Sequence, residues 1–135
     1  MSKEIKQEHN RTIWNSIGSA IVGWEDAYSS DKKYLLYFKI VAVFTILNIL
    51  SGVQFIGWIV FFINSIGVFA AEVTNSVIED IADFLTMERD ERIRKIKDMG
   101  STPVLIWTIS YYTCEFIFIG IGIYNKILTS GVIAK

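Results

Sequence analysis

Long apolar runs separated by short polar segments dominate this chain from residue 34 onward. Three runs stand out, at 34–50, 54–71 and 103–124. Each has roughly 17–22 residues, close to the 20 or so that a helix needs to cross about 30 Å of hydrocarbon. The pattern therefore predicts three transmembrane helices.

Polar signals mark the ends of these spans. Ser51-Gly52 is a turn signal between the first and second spans. Ser101 or Thr102 is suited to cap the third, with Pro103 in its first helical turn. The third helix is therefore predicted to begin near Pro103, after a loop at 85–100.

A different pattern precedes the spans, at 11–30. Its apolar residues recur at helical spacing and fall on one face at about 100° per residue, with polar residues on the other. This favours an amphipathic helix in the membrane interface. The alternative is a core-facing helix of a soluble bundle. The apolar face consists of Ile13, Trp14, Ile17, Ala20, Ile21, Trp24, Ala27 and Tyr28.

Composition excludes a soluble domain. The chain is 52% apolar, and 32 consecutive residues between Lys39 and Glu72 carry no formal charge. One cysteine excludes a disulfide scaffold or a CxxC-type metal site, and a net charge of −1 gives no general attraction to nucleic acid. We therefore expect a single integral membrane domain over 1–135, of the all-α class.

The distribution of basic residues predicts the orientation. Of the 13 Lys and Arg residues, 11 lie in the first 39 positions or between Arg89 and Lys97. No secretory signal is expected, because the first thirty residues contain no suitable apolar core. Since basic segments stay in the cytoplasm, the N-terminus and the loop are predicted to be cytoplasmic and the C-terminus to lie outside.

Polar residues at the end of the second apolar run share one helix face. They stand at offsets of 0, 3, 4, 7 and 11, an arc of roughly 100°. At about 1.5 Å per residue from Gln54, the first of them lies about 27 Å along the helix, at the edge of the hydrocarbon. A helix contact or a solvated extension is the structural alternative. The stripe consists of Glu72, Asn75, Ser76, Glu79 and Asp83.

This stripe suggests metal and phosphate chemistry. Carboxylates one or two turns apart repel one another unless a cation lies between them, and oxygen ligands suit Mg²⁺. Lys97 and Asp98 follow on the same predicted side of the membrane, with a cation for phosphate and a further carboxylate. These residue types are those of phosphoryl transfer from a Mg-nucleotide. The sequence contains neither GxxxxGK[ST] nor GxGxxG, which excludes a P-loop ATPase and a protein-kinase fold.

Two motifs resemble the prokaryotic diacylglycerol kinase family. They are E-x-x-N-S-x-x-E from Glu72 to Glu79 and, 18 residues after its last Glu, K-D-M-G-S from Lys97 to Ser101. The resemblance covers about 11–125. It implies a surface helix plus three transmembrane helices, an active homotrimer whose sites are shared between protomers, and a location in the bacterial inner membrane.

The resemblance also implies residue roles. Glu72 would be the general base for the lipid hydroxyl, supported by Asn75, and Ser101 would lie near the lipid. Glu79 would bind Mg²⁺ together with Asp31, which stands where the family has Glu. The residues implied for ATP are Arg11, Ser19 (a tyrosine in relatives), Glu88, Asp90, Lys97 and Asp98.

The implied reaction is ATP-dependent phosphorylation of diacylglycerol to phosphatidic acid. Undecaprenol is the alternative substrate within the family, and the K-D-M-G-S form favours diacylglycerol. A transporter or oligomeric pore that uses Glu72 and Glu115 is the non-enzymatic alternative, but its carboxylates would be expected near the bilayer midplane. Glu115, in the third span, is expected to be structural, either paired with a hydroxyl such as that of Ser65 or Thr113 or held protonated.

Overall fold

The described part of the chain is helical. The computed structural model describes residues 13–30, 33–85 and 90–130, with side chains from 13 to 25 in the first range. These residues form four helices: α1 (Ile13–Ser30), α2 (Lys33–Ser51), α3 (Phe55–Leu85) and α4 (Glu91–Thr129). The predicted all-α class is confirmed for these ranges.

The chain divides into two compact units, Met1–Leu35 and Leu36–Lys135. In the first unit, α1 occupies the segment predicted to form an amphipathic helix, and Trp14 and Ile21 are exposed. Large exposed apolar side chains suit a helix that meets lipid or protein. The location of α1 in a membrane interface stays a prediction.

The second unit contains long apolar helices. Three helices, α2, α3 and α4, of 19, 31 and 39 residues, are long and apolar enough to cross a membrane. The first residues of α2, from Lys33, precede this unit. The prediction of three helices able to cross a membrane is confirmed for the described residues. At about 1.5 Å per residue, α3 and α4 extend well past the roughly 30 Å of a hydrocarbon core. Both therefore have a segment left over for water.

A tight turn joins α2 to α3. Gly52 has φ of +75°, and the N–H groups of Gly52 and Val53 each donate to the Asn48 carbonyl at 3.1 Å. Lys126 donates to the Leu50 carbonyl at 2.5 Å, which stabilises the C-terminal end of α2. A Cβ at Gly52 would lie 2.9 Å from Lys126 Cε, so both the backbone angle and the space favour glycine.

The interior of the second unit contains polar as well as apolar side chains. Apolar side chains such as Ile66 and Ile106 point outward, as suits a lipid solvent. Six buried side chains are polar: Asn48, Ser51, Asn64, Ser65, Asn75 and Glu115. The apolar core is small and formed by Phe44, Phe61, Val68 and Tyr111. The rings of Phe44 and Tyr111 meet edge to face at 5.4 Å. Hydrogen bonds therefore contribute to helix packing in this unit.

Glu115 pairs with an amide, not with a hydroxyl, which was one of the two alternatives for this residue. Asn48 Nδ2 donates to Glu115 Oε2 at 2.9 Å, and both residues are only 1% exposed. The partner lies on α2, 67 residues away. Ser65 Oγ has no hydrogen-bond partner in the described part of the chain. A structural role for Glu115 fits this arrangement.

The predicted start of the third helix was wrong, whereas the bounds of the membrane span itself stay a prediction. α4 begins at Glu91 with Asp90 as its N-cap, so residues 91–100 of the predicted loop 85–100 are helical and Pro103 lies inside the helix. Arg92 N–H donates to Asp90 Oδ1 at 2.7 Å, which supplies the cap. Pro103 has no N–H for the helix ladder. An interior proline typically costs about 3 kcal/mol, which the contacts of this long helix must offset.

Candidate functional site

The polar stripe of α3 lies on the part of the helix that follows the apolar run. Its last residue is the most exposed. Asn75 is buried, Glu72 and Glu79 are half-buried, and Asp83 is exposed. The helix continues to Leu85, so the five stripe residues share one face of one rigid element, as predicted. The stripe therefore passes from an apolar environment to water.

Asn75 orients Glu79. Its Nδ2 donates to Glu79 Oε1 at 2.6 Å, one helical turn away. The other amide atom, Asn75 Oδ1, is buried and has no hydrogen-bond partner in the part of the chain that the structure describes. The predicted supporting role of Asn75 thus has a direct geometric basis, because its hydrogen bond fixes the direction of the neighbouring carboxylate.

Gly100 of α4 packs against this amide. A Cβ at Gly100 would lie 3.0 Å from Asn75 Oδ1 and 3.1 Å from Ile78 Cγ2. The side chains at a helix crossing set how closely the two helices approach. Glycine at this position lets α4 pass directly over Asn75. Gly100 belongs to the K-D-M-G-S motif, but the motif by itself indicates no packing role for it.

Lys97 and Asp83 join the two helices. Lys97 Nζ lies 2.5 Å from Asp83 Oδ1, and both side chains are partly exposed. Exposed ion pairs contribute about 0–1 kcal/mol, so this contact orients Lys97 more than it stabilises the fold. It brings the stripe of α3 and the K-D-M-G-S segment of α4 together, as their predicted chemistry requires.

The start of α4 carries a chain of ion pairs. Arg94 contacts Glu91 and Asp98, each at 2.5 Å, so the Asp98 carboxylate has a fixed cation beside it. Hydrogen bonds from Arg92 hold the pKa of Asp90 below its usual value, and the bond from Arg94 does the same for the pKa of Glu91. These carboxylates are therefore ionised at neutral pH.

Two further predicted residues use their hydroxyls locally. Ser101 Oγ donates to the Asp98 carbonyl at 2.8 Å and is exposed on α4. Ser19, in the first unit, donates to the Asn15 carbonyl at 3.0 Å. Arg11, Asp31 and Glu88 lie outside the described residues, so their predicted roles stay predictions. The second unit thus brings Asn75 of α3 against Gly100 of α4 and Asp83 of α3 against Lys97 of α4. Glu72 and Glu79 lie on the same helix face as Asn75, and Asp98 follows Lys97 on α4.

The donor chemistry of this region fits Mg²⁺ bound together with phosphate. Among the described residues, no three acidic, His or Cys side chains gather into a metal site. Mg²⁺ commonly takes only one or two protein carboxylates and completes its shell with phosphate oxygens and water. Glu79 is suited to be one such ligand, and Asp31 is the predicted second.

Sequence reasoning missed three contacts of this site: the approach of Gly100 to Asn75, the Asp83–Lys97 pair and the Arg94–Asp98 pair. The last had a readable signal, since Arg94 and Asp98 stand at the i,i+4 spacing of helical ion pairs. The other two join α3 to α4 and depend on how these helices cross.

Comparison with known proteins gives one match. The family model for prokaryotic diacylglycerol kinase matches residues 18–119, which is most of the chain. No curated protein and no solved structure matches it. The matched range contains the whole stripe and the K-D-M-G-S segment.

Proposed function

The chain belongs to the prokaryotic diacylglycerol kinase family and is a lipid kinase of that family, and we propose that its reaction is the ATP-dependent phosphorylation of diacylglycerol. The γ-phosphate of MgATP passes to the primary hydroxyl of the lipid, and the products are phosphatidic acid and ADP.

The observation that carries this proposal is the order of groups along the stripe. Half-buried Glu72 directly follows the 32-residue run without formal charge. Glu79 and Asp83 follow it on the same helix face, 7 and 11 residues later. A lipid hydroxyl approaches from the apolar side and a nucleotide from water. Glu72 is the first carboxylate that such a hydroxyl meets, and Lys97 lies beyond it on the side open to water.

Each group of residues has a separate role in the proposed phosphoryl transfer. Glu72 takes the proton of the lipid hydroxyl as that oxygen forms its bond to the γ-phosphorus and the bond between this phosphorus and the β–γ bridging oxygen breaks. Lys97 and Asp98 bind the nucleotide, with Arg11, Ser19, Glu88 and Asp90 as further contacts. Ser101 lies near the lipid. Glu79 and Asp31 would hold Mg²⁺, and this ion would supply positive charge that offsets the charge of the phosphates.

The proposal extends to assembly and location. Large apolar side chains cover the outward faces of α2, α3 and α4, and these surfaces suit lipid and further copies of the chain. We expect a homotrimer in the bacterial inner membrane, with the stripe on the cytoplasmic side where ATP is available. Undecaprenol is the competing substrate, and the K-D-M-G-S form supports diacylglycerol instead.

A lipid kinase assay with purified protein in mixed micelles tests the proposal. Protein with MgATP and diacylglycerol should form phosphatidic acid, and a parallel sample with undecaprenol should form much less product. Glu72→Gln should reduce transfer by roughly 10²–10⁴-fold, the usual contribution of a general base, while MgATP binding persists. Asp80→Asn, an exposed carboxylate of the same helix outside the stripe, is the matched control and should retain activity.

Two results would contradict this function. One is a wild-type protein that forms no phosphatidic acid from diacylglycerol but does form product from undecaprenol. The other is a Glu72→Gln variant that transfers phosphate as fast as Asp80→Asn.

A further inference from the structure

A second polar cluster lies inside the unit of α2, α3 and α4, away from the stripe. Its centre is the Asn48–Glu115 hydrogen bond of 2.9 Å, next to the Gly52 turn. Tyr111 lies one turn before Glu115 on α4, and its hydroxyl neighbours Glu115, the Ser65 side chain of α3 and Tyr37 of α2. The Tyr37 hydroxyl donates to the Ser65 carbonyl. None of these residues has a role in the proposed phosphoryl transfer.

Three polar atoms of this cluster have no hydrogen-bond partner in the described part of the chain: Asn48 Oδ1, Ser65 Oγ and Tyr111 OH. Asn48 is 1% exposed, Tyr111 3% and Ser65 9%. A buried polar group without a partner typically destabilises a fold by about 1–3 kcal/mol. Three such atoms next to a buried carboxylate indicate that another molecule completes their hydrogen bonds.

The chemistry of the three atoms selects the occupant. The amide oxygen of Asn48 only accepts hydrogen bonds, whereas the hydroxyls of Ser65 and Tyr111 both donate and accept. Water satisfies such a mixed set, while a metal cation would need acceptors alone. A lipid or a second copy of the chain would not reach these atoms, because they are already buried within one chain.

We propose that water is bound inside the helix unit as a short chain linking Asn48 Oδ1, Tyr111 OH and Ser65 Oγ beside the Glu115 carboxylate. Buried waters usually make about three hydrogen bonds to groups that would otherwise lack them. Through this water, α2, α3 and α4 share one hydrogen-bond network. The site is independent of the kinase reaction, and its tests require no activity measurement.

The sign of a stability change tests the proposal. Ser65→Ala and Tyr111→Phe each remove one oxygen. The aromatic ring that remains in the second variant would keep the contacts that the tyrosine ring makes with Phe44 and Phe61. If water bonds these oxygens, each variant should raise the unfolding equilibrium constant by about 2- to 10-fold in detergent micelles. If the oxygens are dry and unpaired, each variant should be more stable than the wild type. If the two hydroxyls bond only each other, the double variant should be no less stable than either single variant. Either result would overturn the proposal.

Ser110→Ala is the matched control for this measurement. Ser110 Oγ donates to Asn64 Oδ1 at 2.7 Å, so its removal should destabilise the protein whether or not water is present.

Nuclear magnetic resonance detects the water directly. Magnetisation transfer from water to the side-chain amide protons of Asn48 should exceed transfer to those of Asn64, whose amide bonds only protein groups, Val60 O and Ser110 Oγ. Magnetisation can also reach an amide indirectly, through a neighbouring hydroxyl that exchanges its proton with water. The Ser110 hydroxyl provides this indirect route to Asn64, so the comparison controls for it. Equal transfer at the two amides would contradict the bound water.

Discussion

The two asparagine–carboxylate pairs of this protein have the same chemistry in different surroundings. Asn75 donates to Glu79 at 2.6 Å and Asn48 donates to Glu115 at 2.9 Å. In both pairs the amide oxygen is buried and has no partner among the described residues. The asparagine is buried in each case, so the difference between the pairs lies in the carboxylate.

Accessibility separates the two. Glu79 is half-buried, four residues from its partner on one helix, whereas Glu115 is 1% exposed and meets a partner from another helix. A carboxylate open to water can exchange its ligands for a hydrated ion and phosphate. An enclosed carboxylate can only keep the bonds that the fold provides. The Asn75–Glu79 pair is therefore suited to chemistry at the stripe, and the Asn48–Glu115 pair to helix packing near the Gly52 turn.

The largest expected contrast comes from matched Glu→Gln substitutions. Glu79→Gln should reduce the rate of lipid phosphorylation by roughly 100-fold or more, about 2.7 kcal/mol of transition-state stabilisation, because a metal ligand is lost. Glu115→Gln should keep nearly full activity, since the side-chain oxygen can still accept from Asn48. The assay is phosphatidic acid formation over a series of Mg²⁺ concentrations. Similar losses in both variants would show that accessibility does not separate the pairs.

Removal of the two asparagines should reverse the contrast. Asn48→Ala leaves the enclosed carboxylate without its donor and should lower the free energy of unfolding by about 1–3 kcal/mol. Asn75→Ala deletes the same atoms but leaves Glu79 access to water, so its effect on stability should be smaller and its effect on activity larger. Unfolding in mixed detergent micelles measures the first and the kinase assay the second. Equal destabilisation would place the two carboxylates in equivalent surroundings.

A glycine pair tests the packing around Asn75. Gly100→Ala should press on Asn75 Oδ1, disturb the hydrogen bond to Glu79 and reduce activity by about 10-fold, or 1.4 kcal/mol. Gly120→Ala on the same helix is the control, because a Cβ there meets no atom within 4 Å. Helix propensity favours alanine by about 1 kcal/mol in both variants. A Gly100→Ala variant as active as Gly120→Ala would remove Gly100 from the site.

The smallest effect concerns pH at the start of α4. Hydrogen bonds from Arg92 lower the pKa of Asp90 below its usual 3.8. The stability that this carboxylate contributes is therefore present above about pH 3.8 and lost as the pH falls through the lower, folded-state value. The amide shift of Arg92, which donates to Asp90 Oδ1 at 2.7 Å, should titrate with a midpoint below 3.8.

Asp90→Asn keeps an N-cap residue but no titrating group, so this shift should disappear in the variant. A midpoint at or above 3.8 in the wild type would contradict the bonded cap.

Local patterns predicted most of the fold because the signals lie within single segments. The apolar runs indicated three long helices, and the spacing from Glu72 to Asp83 placed five polar residues on one face. The start of α4 was misjudged because Pro103 is a strong local signal. The cap at Asp90 and the Arg94–Asp98 pair support the first turns of α4, but they are weaker signals in the sequence than the proline.

The chain's own sequence determined that it is an all-α membrane protein, that Glu72 follows its longest uncharged run and that its motifs are those of a prokaryotic lipid kinase. Only the tertiary structure decided that Glu115 bonds Asn48, that Gly100 lies over Asn75 and that Lys97 meets Asp83. Each of these contacts joins two helices. Helical periodicity tells which residues share a face, but the partner of that face depends on how the helices cross and at what register, and packing of the whole unit sets both.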